Sequence, residues 1–208
     1  MTRTTAALLL LLLALPSLGG CNAIGLTARS TRGEFVSDEQ PHKLTPRFAT
    51  RVYHAEDANA ADMIFSDLDA DTLRDRAAWA TTSGQILHAR MFIQPRAGRT
   101  PIEPTACSVT LRYIVLAGGE YGLYAGGGFL LPDGKPEGNR FSGTIYNANL
   151  RLVSATPGFG DLIGSGRMSL SFRVKRDEET TRTAARNADF LAFAALPTAD
   201  HPLLVVEE

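Results

Sequence analysis

The chain has 208 residues, of which 44% are hydrophobic and 21% charged, and its formal net charge at pH 7 is -1. This composition excludes a largely disordered chain, a coiled coil and a multi-span membrane protein. The small net charge excludes an overall basic field of the kind that attracts nucleic acid, so no nucleic-acid partner is expected.

The N-terminus carries a short apolar segment. Arg3 precedes an unbroken apolar run over residues 6–15, which is too short to span a membrane because a transmembrane helix needs about 20 residues. The sequence Leu18-Gly19-Gly20-Cys21 follows. It resembles the lipobox of bacterial lipoproteins, in which the cysteine is lipidated and becomes the mature N-terminus. The alternative is an ordinary secretory peptide in which Cys21 has no role.

The resemblance to bacterial lipoproteins covers only the first 21 residues. It implies a signal peptide over residues 1–20, diacylglycerol on the sulfur of Cys21 and often a further acyl chain on its nitrogen. Several acyl chains anchor a protein stably, whereas one holds it weakly. Residue 22 is Asn rather than Asp, which by the sorting rule of enteric bacteria implies the outer membrane. The membrane is therefore the expected partner of the N-terminal lipid.

Residues 21–46 are predicted to form the lipidated N-terminus and a flexible tether. Their apolar residues follow no period, and Pro41 and Pro46 interrupt them. Residues 47–208 are predicted to form a single β-rich domain. Cys107 is the only cysteine besides Cys21, so no disulfide framework is expected. No cofactor is predicted.

Alternating hydrophobicity predicts most elements of this domain. The predicted strands are 47–55, 62–68, 85–94, 107–117, 120–131, 140–155 and 166–176. A helical turn or two is predicted at 71–78 and a helix at 178–195, which Asp177 can cap. The clearest strand is 166–176, in which Phe172 shares a face with other apolar residues and Arg173 lies on the opposite face. In 140–155 the alternation changes parity, which predicts a bulge at 147–149.

Strands with one buried and one solvated face are typical of antiparallel sheets. The predicted fold class is therefore mainly β, as an antiparallel β-sandwich or flattened barrel of about seven or eight strands with one C-terminal helix.

The acidic segment 56–75 is the first candidate for chemistry. Asp67, Asp69 and Asp71 have the spacing of a calcium loop, but an EF-hand would need glycine where Thr72 stands and glutamate where Ala78 stands. Another calcium geometry stays open. We expect these carboxylates to be at a strand end, at a helix cap and in solvent, so no metal site is predicted.

The glycine-rich stretch 118–138 is the second candidate. It matches neither a P-loop nor a dinucleotide-binding motif, and its glycines are expected to permit twist and bulges in strands. The three aromatic residues within it offer an alternative, a stacking surface for a sugar. They are Tyr121, Tyr124 and Phe129.

The remaining candidates are single residues and a basic stripe. Cys107 lies on the apolar face of its predicted strand and is expected to be buried. His54 and His88 lie in predicted strands and could meet, although no histidine has a metal-binding spacing. The stripe of Arg167, Arg173 and Lys175 is expected to be a solvated sheet face, with contact to anionic lipid or an acidic polymer as the alternative.

These observations predict no catalytic residues. The expected function is that of a lipid-anchored cell-envelope protein with a non-enzymatic binding or assembly role, whose partner is an unidentified envelope protein or glycan. One alternative is a hydrolase-like envelope enzyme with a site built from Asp67, Asp69 and Asp71. Another is a carbohydrate-binding module.

Overall fold

The computed structural model describes residues 31–93 and 107–194. These residues form nine strands and three helices. The strands are β1 (Arg32–Ser37), β2 (Lys43–Leu44), β3 (Thr50–Ala55), β4 (Ala61–Ser66), β5 (Ser83–Met91), β6 (Val109–Ala117), β7 (Glu120–Pro132), β8 (Arg140–Ala155) and β9 (Ser165–Arg176). The helices are α1 (Ala70–Arg74), α2 (Arg76–Trp79) and α3 (Glu178–Ala194).

Strands β3 to β9 pair in chain order, each antiparallel to the next. The end of β9 then lies parallel to β3, with Lys175 opposite Val52, so the sheet closes on itself. The hairpin of β1 and β2 extends it, because β1 pairs with the first half of β9. The mainly antiparallel β class and the C-terminal helix are confirmed, and closure makes the sheet a flattened barrel.

The interior of the barrel is rich in aromatic side chains. The ring of Phe35 packs edge-on against those of Tyr113 and Tyr124, with centroids 5.7 and 5.4 Å apart. Phe172 packs against Phe65 and Phe141 at 5.5 and 5.8 Å. All the apolar residues predicted on the inner face of β9 are buried in this core: Met168, Leu170, Phe172 and Val174.

A second core lies outside the barrel, between the sheet and the helices. Ile64 and Ile114 project outward from β4 and β6 and pack in one cluster with Trp79 of α2 and Ala184 and Ala188 of α3. Strand β4 is therefore buried on both faces along its whole length. Because both faces are covered, its central residues Met63, Ile64 and Phe65 are all apolar and do not alternate with polar ones.

The helices begin where the sequence predicts. The backbone N–H of Thr72 donates to Asp69 Oδ1 at 2.8 Å, which caps α1. The N–H of Thr180 donates to Asp177 Oδ1 at 3.1 Å at the start of α3. Asp177 therefore caps the C-terminal helix as predicted, and the side-chain oxygen replaces the partner that the first helical turn lacks.

The bulge predicted in β8 is present. Its register against β9 shifts between Ile145 and Ala148, and Asn147 has φ 40°. Strand β7 accommodates the bulge with glycine, because a Cβ at Gly126 would lie 1.8 Å from the carbonyl oxygen of Asn149. The shift returns the apolar residues on both sides of it to the barrel interior.

The predicted tether is wrong for residues 32–44, which form β1 and β2. Phe35 is fully buried in the barrel core, so the folded domain begins near Arg32 rather than at residue 47. This segment shows no clear period because it is short and its burial comes from pairing with β9, about 130 to 140 residues away.

Cys107 was predicted to be buried, and this prediction is wrong, since the residue is exposed. The paired part of β6 begins at Val109, which lies opposite Met91, the last residue of β5. Cys107 therefore lies beyond the rim of the barrel. Ile93 lies two residues beyond the end of β5 and is 49% exposed for the same reason.

Phe172→Ala tests the barrel core. Phe172 is 1% exposed, and its truncation should reduce the free energy of unfolding by about 3–5 kcal/mol. Arg173→Ala is the matched control, because that side chain is exposed and its loss should cost well under about 1 kcal/mol. Denaturant unfolding measures both, and equal losses would contradict the assignment of the two faces of β9.

The thiol of Cys107 should react with a polar thiol reagent in the folded protein, without denaturant. Labelling followed by mass spectrometry measures the rate, and unfolded protein supplies the reference. A rate accelerated more than about a hundredfold by unfolding, equivalent to about 2.8 kcal/mol of protection, would contradict the exposed position.

Candidate functional site

A polar cluster lies on the outer face of the sheet, beneath α3. It consists of His54 on β3, Asp62 on β4 and His88 on β5. All three side chains are buried. His88 Nε2 lies 2.7 Å from Asp62 Oδ1, and His54 stands opposite Asp62 in the register of β3 and β4. The sheet thus brings both histidines to one carboxylate.

The electrostatics of this cluster favour the charged form of Asp62. Burial by itself raises the pKa of Asp62, but the hydrogen bond and charge of His88, with the charges of Arg90 and His54, outweigh it and hold the pKa below 3.8. Among the residues that the structure describes, neither ring nitrogen of His54 has a hydrogen-bond partner. Its Nδ1 lies 3.6 Å from Glu178 Oε2 at the start of α3.

Ion pairs surround the cluster and join α3 to the sheet. Arg112 of β6 pairs with Asp189 of α3, and Arg90 of β5 lies 3.1 Å from Glu56. A cavity of about 410 Å³ lies between them and reaches Asp62 and His88. Within the described part of the chain, no hydroxyl or thiol is hydrogen-bonded to either histidine. The ion pairs of Glu178 and Asp189 therefore fasten α3 to the sheet.

The carboxylates of the acidic segment do not converge. Asp67 Oδ1 accepts from the backbone N–H of Gln85 at 2.7 Å, Asp69 caps α1, and Asp71 pairs with Arg74. Each therefore has a structural role, as the strand-end and helix-cap interpretation predicts. In residues 31–93 and 107–194, no three His, Cys, Asp or Glu side chains are placed to hold a metal ion.

The aromatic residues of the glycine-rich stretch do not form one surface. Tyr124 is buried inside the barrel, where its hydroxyl donates to Asp161 Oδ1 at 2.6 Å. Tyr121 packs against the outer core beneath the helices. Because Tyr121 and Tyr124 are an odd number of residues apart on β7, strand alternation places them on opposite faces of the sheet. The sugar-stacking surface of three aromatics is therefore not formed.

A mostly apolar cavity of about 310 Å³ opens beside the loop that joins β8 to β9. Its apolar lining includes Val115, Phe159 and Leu162. Asp161 anchors the loop, because its carboxylate accepts from the N–H groups of Ile163 and Gly164 at 3.0 and 2.9 Å. Burial raises the pKa of Asp161, but these bonds and that from Tyr124 outweigh it and lower the pKa below 3.8.

The predicted basic stripe divides between two places. Arg173 and Lys175 line a cleft of about 650 Å³ together with Arg51 and Arg140, and these four side chains are called the basic cleft below. Arg167 lies further back along β9, where its Nε is 3.0 Å from Asp38 Oδ1. The exposure predicted for the basic side chains of the stripe is confirmed. No described helix is long and apolar enough to cross a membrane.

Asp62→Asn tests the polar cluster. Near pH 7 the substitution should reduce the free energy of unfolding by about 1–3 kcal/mol, because it removes a buried charged acceptor. Since the pKa of Asp62 is lowered on folding, the charge stabilises the fold above pH 3.8. That stabilisation is lost as the pH falls through the folded-state pKa. The difference between wild type and variant should therefore shrink below pH 3.8.

Denaturant unfolding between pH 7 and 3 measures this difference. Asp71→Asn is the matched control, because Asp71 is exposed and its loss should change stability by less than about 0.5 kcal/mol. A difference for Asp62→Asn that stays constant across this range would contradict the ionised, hydrogen-bonded state of the carboxylate.

No protein-family model matches this chain, and neither a curated protein nor a solved structure is similar enough to count as a match. What the chain does is therefore inferred from its own residues.

Proposed function

We propose that the protein is a lipoprotein of the bacterial cell envelope, anchored through lipid on Cys21. Asn22, the residue after the lipidated cysteine, favours the outer membrane as its location. Its β domain acts in binding or assembly, without catalysis. The observation that carries this proposal is the sequence Leu18-Gly19-Gly20-Cys21 directly after an apolar run of ten residues, followed closely by a folded domain.

The spacing between anchor and domain supports the proposal. The first strand begins at Arg32, and Thr31 lies ten residues beyond Cys21. Even a fully extended chain of that length spans only about 35 Å. A lipid on Cys21 would therefore hold the barrel next to the membrane surface, which suits a protein that meets its partners there.

The candidate catalytic groups are held in structural contacts, which supports binding rather than catalysis. The three carboxylates of the hydrolase-like alternative are separate and structurally occupied. The buried histidines face a carboxylate and a helix. A catalytic site would instead bring an acid, a base or a nucleophile together at an open cavity.

Exposed aromatic side chains on α3 support a protein partner. Phe190 and Phe193 are 49% and 70% exposed, and their spacing of three residues places them on neighbouring parts of one helix face. The guanidinium of Arg76 lies 3.9 Å from the ring centroid of Phe190. Aromatic and arginine side chains together are enriched at the centres of protein interfaces.

Lipidation of Cys21 is the test of this proposal. Intact-mass analysis of the membrane fraction should show a protein that begins at Cys21 and carries acyl chains. Cys21→Ala should abolish both the lipid mass and the membrane association, because no other residue supplies the thioether. Cys107→Ala is the matched control and should change neither. A soluble, unmodified wild-type protein would overturn the proposal.

A further inference from the structure

The basic cleft gathers four positive charges from three strands. Arg51 lies on β3, Arg140 on β8, and Arg173 and Lys175 on β9. The register of the sheet causes this, because Lys175 stands opposite Arg140 on one side and Val52, next to Arg51, on the other. The charges thus come together at the point where the barrel closes.

Within the described part of the chain, these charges exceed the negative charge of the cleft, since Asp177 is the one carboxylate among its lining residues. None of the four side chains forms a salt bridge there, whereas Arg74, Arg90, Arg112, Arg167 and Arg182 all do. The carboxylate that lines the cleft, Asp177, caps α3. Arg140, Arg173 and Lys175 are exposed and Arg51 is half-buried, so their charged ends can meet an anionic surface from outside.

Thr31, ten residues after Cys21 in the sequence, lies at the edge of this cleft. Thr31 Oγ1 accepts hydrogen bonds from Arg51 Nη1 and from the backbone N–H of Arg173, both at 3.4 Å. Thr31 is the first residue that the structure describes. The segment between it and the proposed lipid therefore starts at the basic cleft rather than at a distant part of the barrel.

We infer that the basic cleft docks against the anionic phospholipid headgroups of the membrane that holds the lipid anchor. This inference rests on the proposed function, since lipid on Cys21 keeps the cleft within reach of that surface. Each Lys or Arg near an anionic membrane strengthens association by a factor of about five. Four such side chains on one side of the barrel would orient it, with the cleft toward the lipid.

Lysine labelling in vesicles tests this orientation. The sequence contains three lysines, Lys43, Lys135 and Lys175, and Lys175 lies in the cleft. Lys43 serves as the internal reference because it lies away from the cleft. It stands opposite Val36, near the end of β1 that is remote from Thr31. The lipidated protein is reconstituted in phosphatidylcholine vesicles or in vesicles that also contain phosphatidylglycerol, and acetylation of each lysine is followed by mass spectrometry.

Phosphatidylglycerol should slow acetylation of Lys175 relative to Lys43 by a factor of about five or more. Arg140→Gln combined with Arg173→Gln should remove most of this protection, since two charges contribute a combined factor of about 25. Arg151→Gln combined with Arg186→Gln is the matched control. It removes the same charge from exposed positions outside the cleft and should keep the protection.

The outcomes separate this inference from the proposed anchor. Flotation with neutral vesicles reports the anchor alone, and its failure would overturn the proposed function. If the protein floats with the vesicles but Lys175 is labelled equally in both kinds of vesicle, the docking of the cleft is overturned. The proposed lipid anchor is unaffected by that result. Inorganic phosphate is tested at the same concentration as the phosphate of phosphatidylglycerol. If it protects Lys175 from acetylation equally well, the cleft binds a small anion, and the membrane surface is overturned as its partner.

Discussion

The pairing of β8 with β9 is the constraint on which the rest of the structure depends. It runs from Arg140 opposite Lys175 to Arg151 opposite Ser165, and because β9 also lies parallel to β3, it completes the closed barrel. Closure leaves few unpaired backbone groups at sheet edges, which would otherwise favour aggregation. It also encloses the aromatic core, because Phe141 and Phe172 face each other across these two strands.

Closure requires β8 to bend, and the bend explains an otherwise unusual local sequence. The bulge at Asn147 changes which residues face inward, while Gly126 and Gly128 of β7 leave room for the displaced backbone. Side chains at either glycine would collide with Asn149 or Ala148. These two glycines of the glycine-rich stretch are thus a requirement of barrel geometry, which explains them without a bound phosphate or sugar.

Closure also leaves one side of the barrel to be covered by helices, and polar groups become buried there. The pair of Asp62 and His88 lies at the edge of the outer apolar core, where α3 contributes Glu178 and Asp189 to the surrounding charges. A buried carboxylate is tolerated because hydrogen bonding and opposite charge offset its desolvation. The same closure places Arg51 beside the end of β9, so the basic cleft and the outer core are two consequences of one topology.

The sequence by itself determined the class of the fold, most strand positions, the C-terminal helix with its cap at Asp177 and the bulge in β8. Each of these follows from side-chain periodicity or capping chemistry within a few residues. Tertiary structure alone decided that residues 32–44 belong to the sheet, that Cys107 lies beyond the rim, and that Asp62 meets both His54 and His88. It also decided the basic cleft, since Arg51 and Arg140 are far apart in the chain. The physical reason is that local alternation reveals that a strand has two different faces, whereas long-range strand pairing determines which elements cover each face and which charges become neighbours.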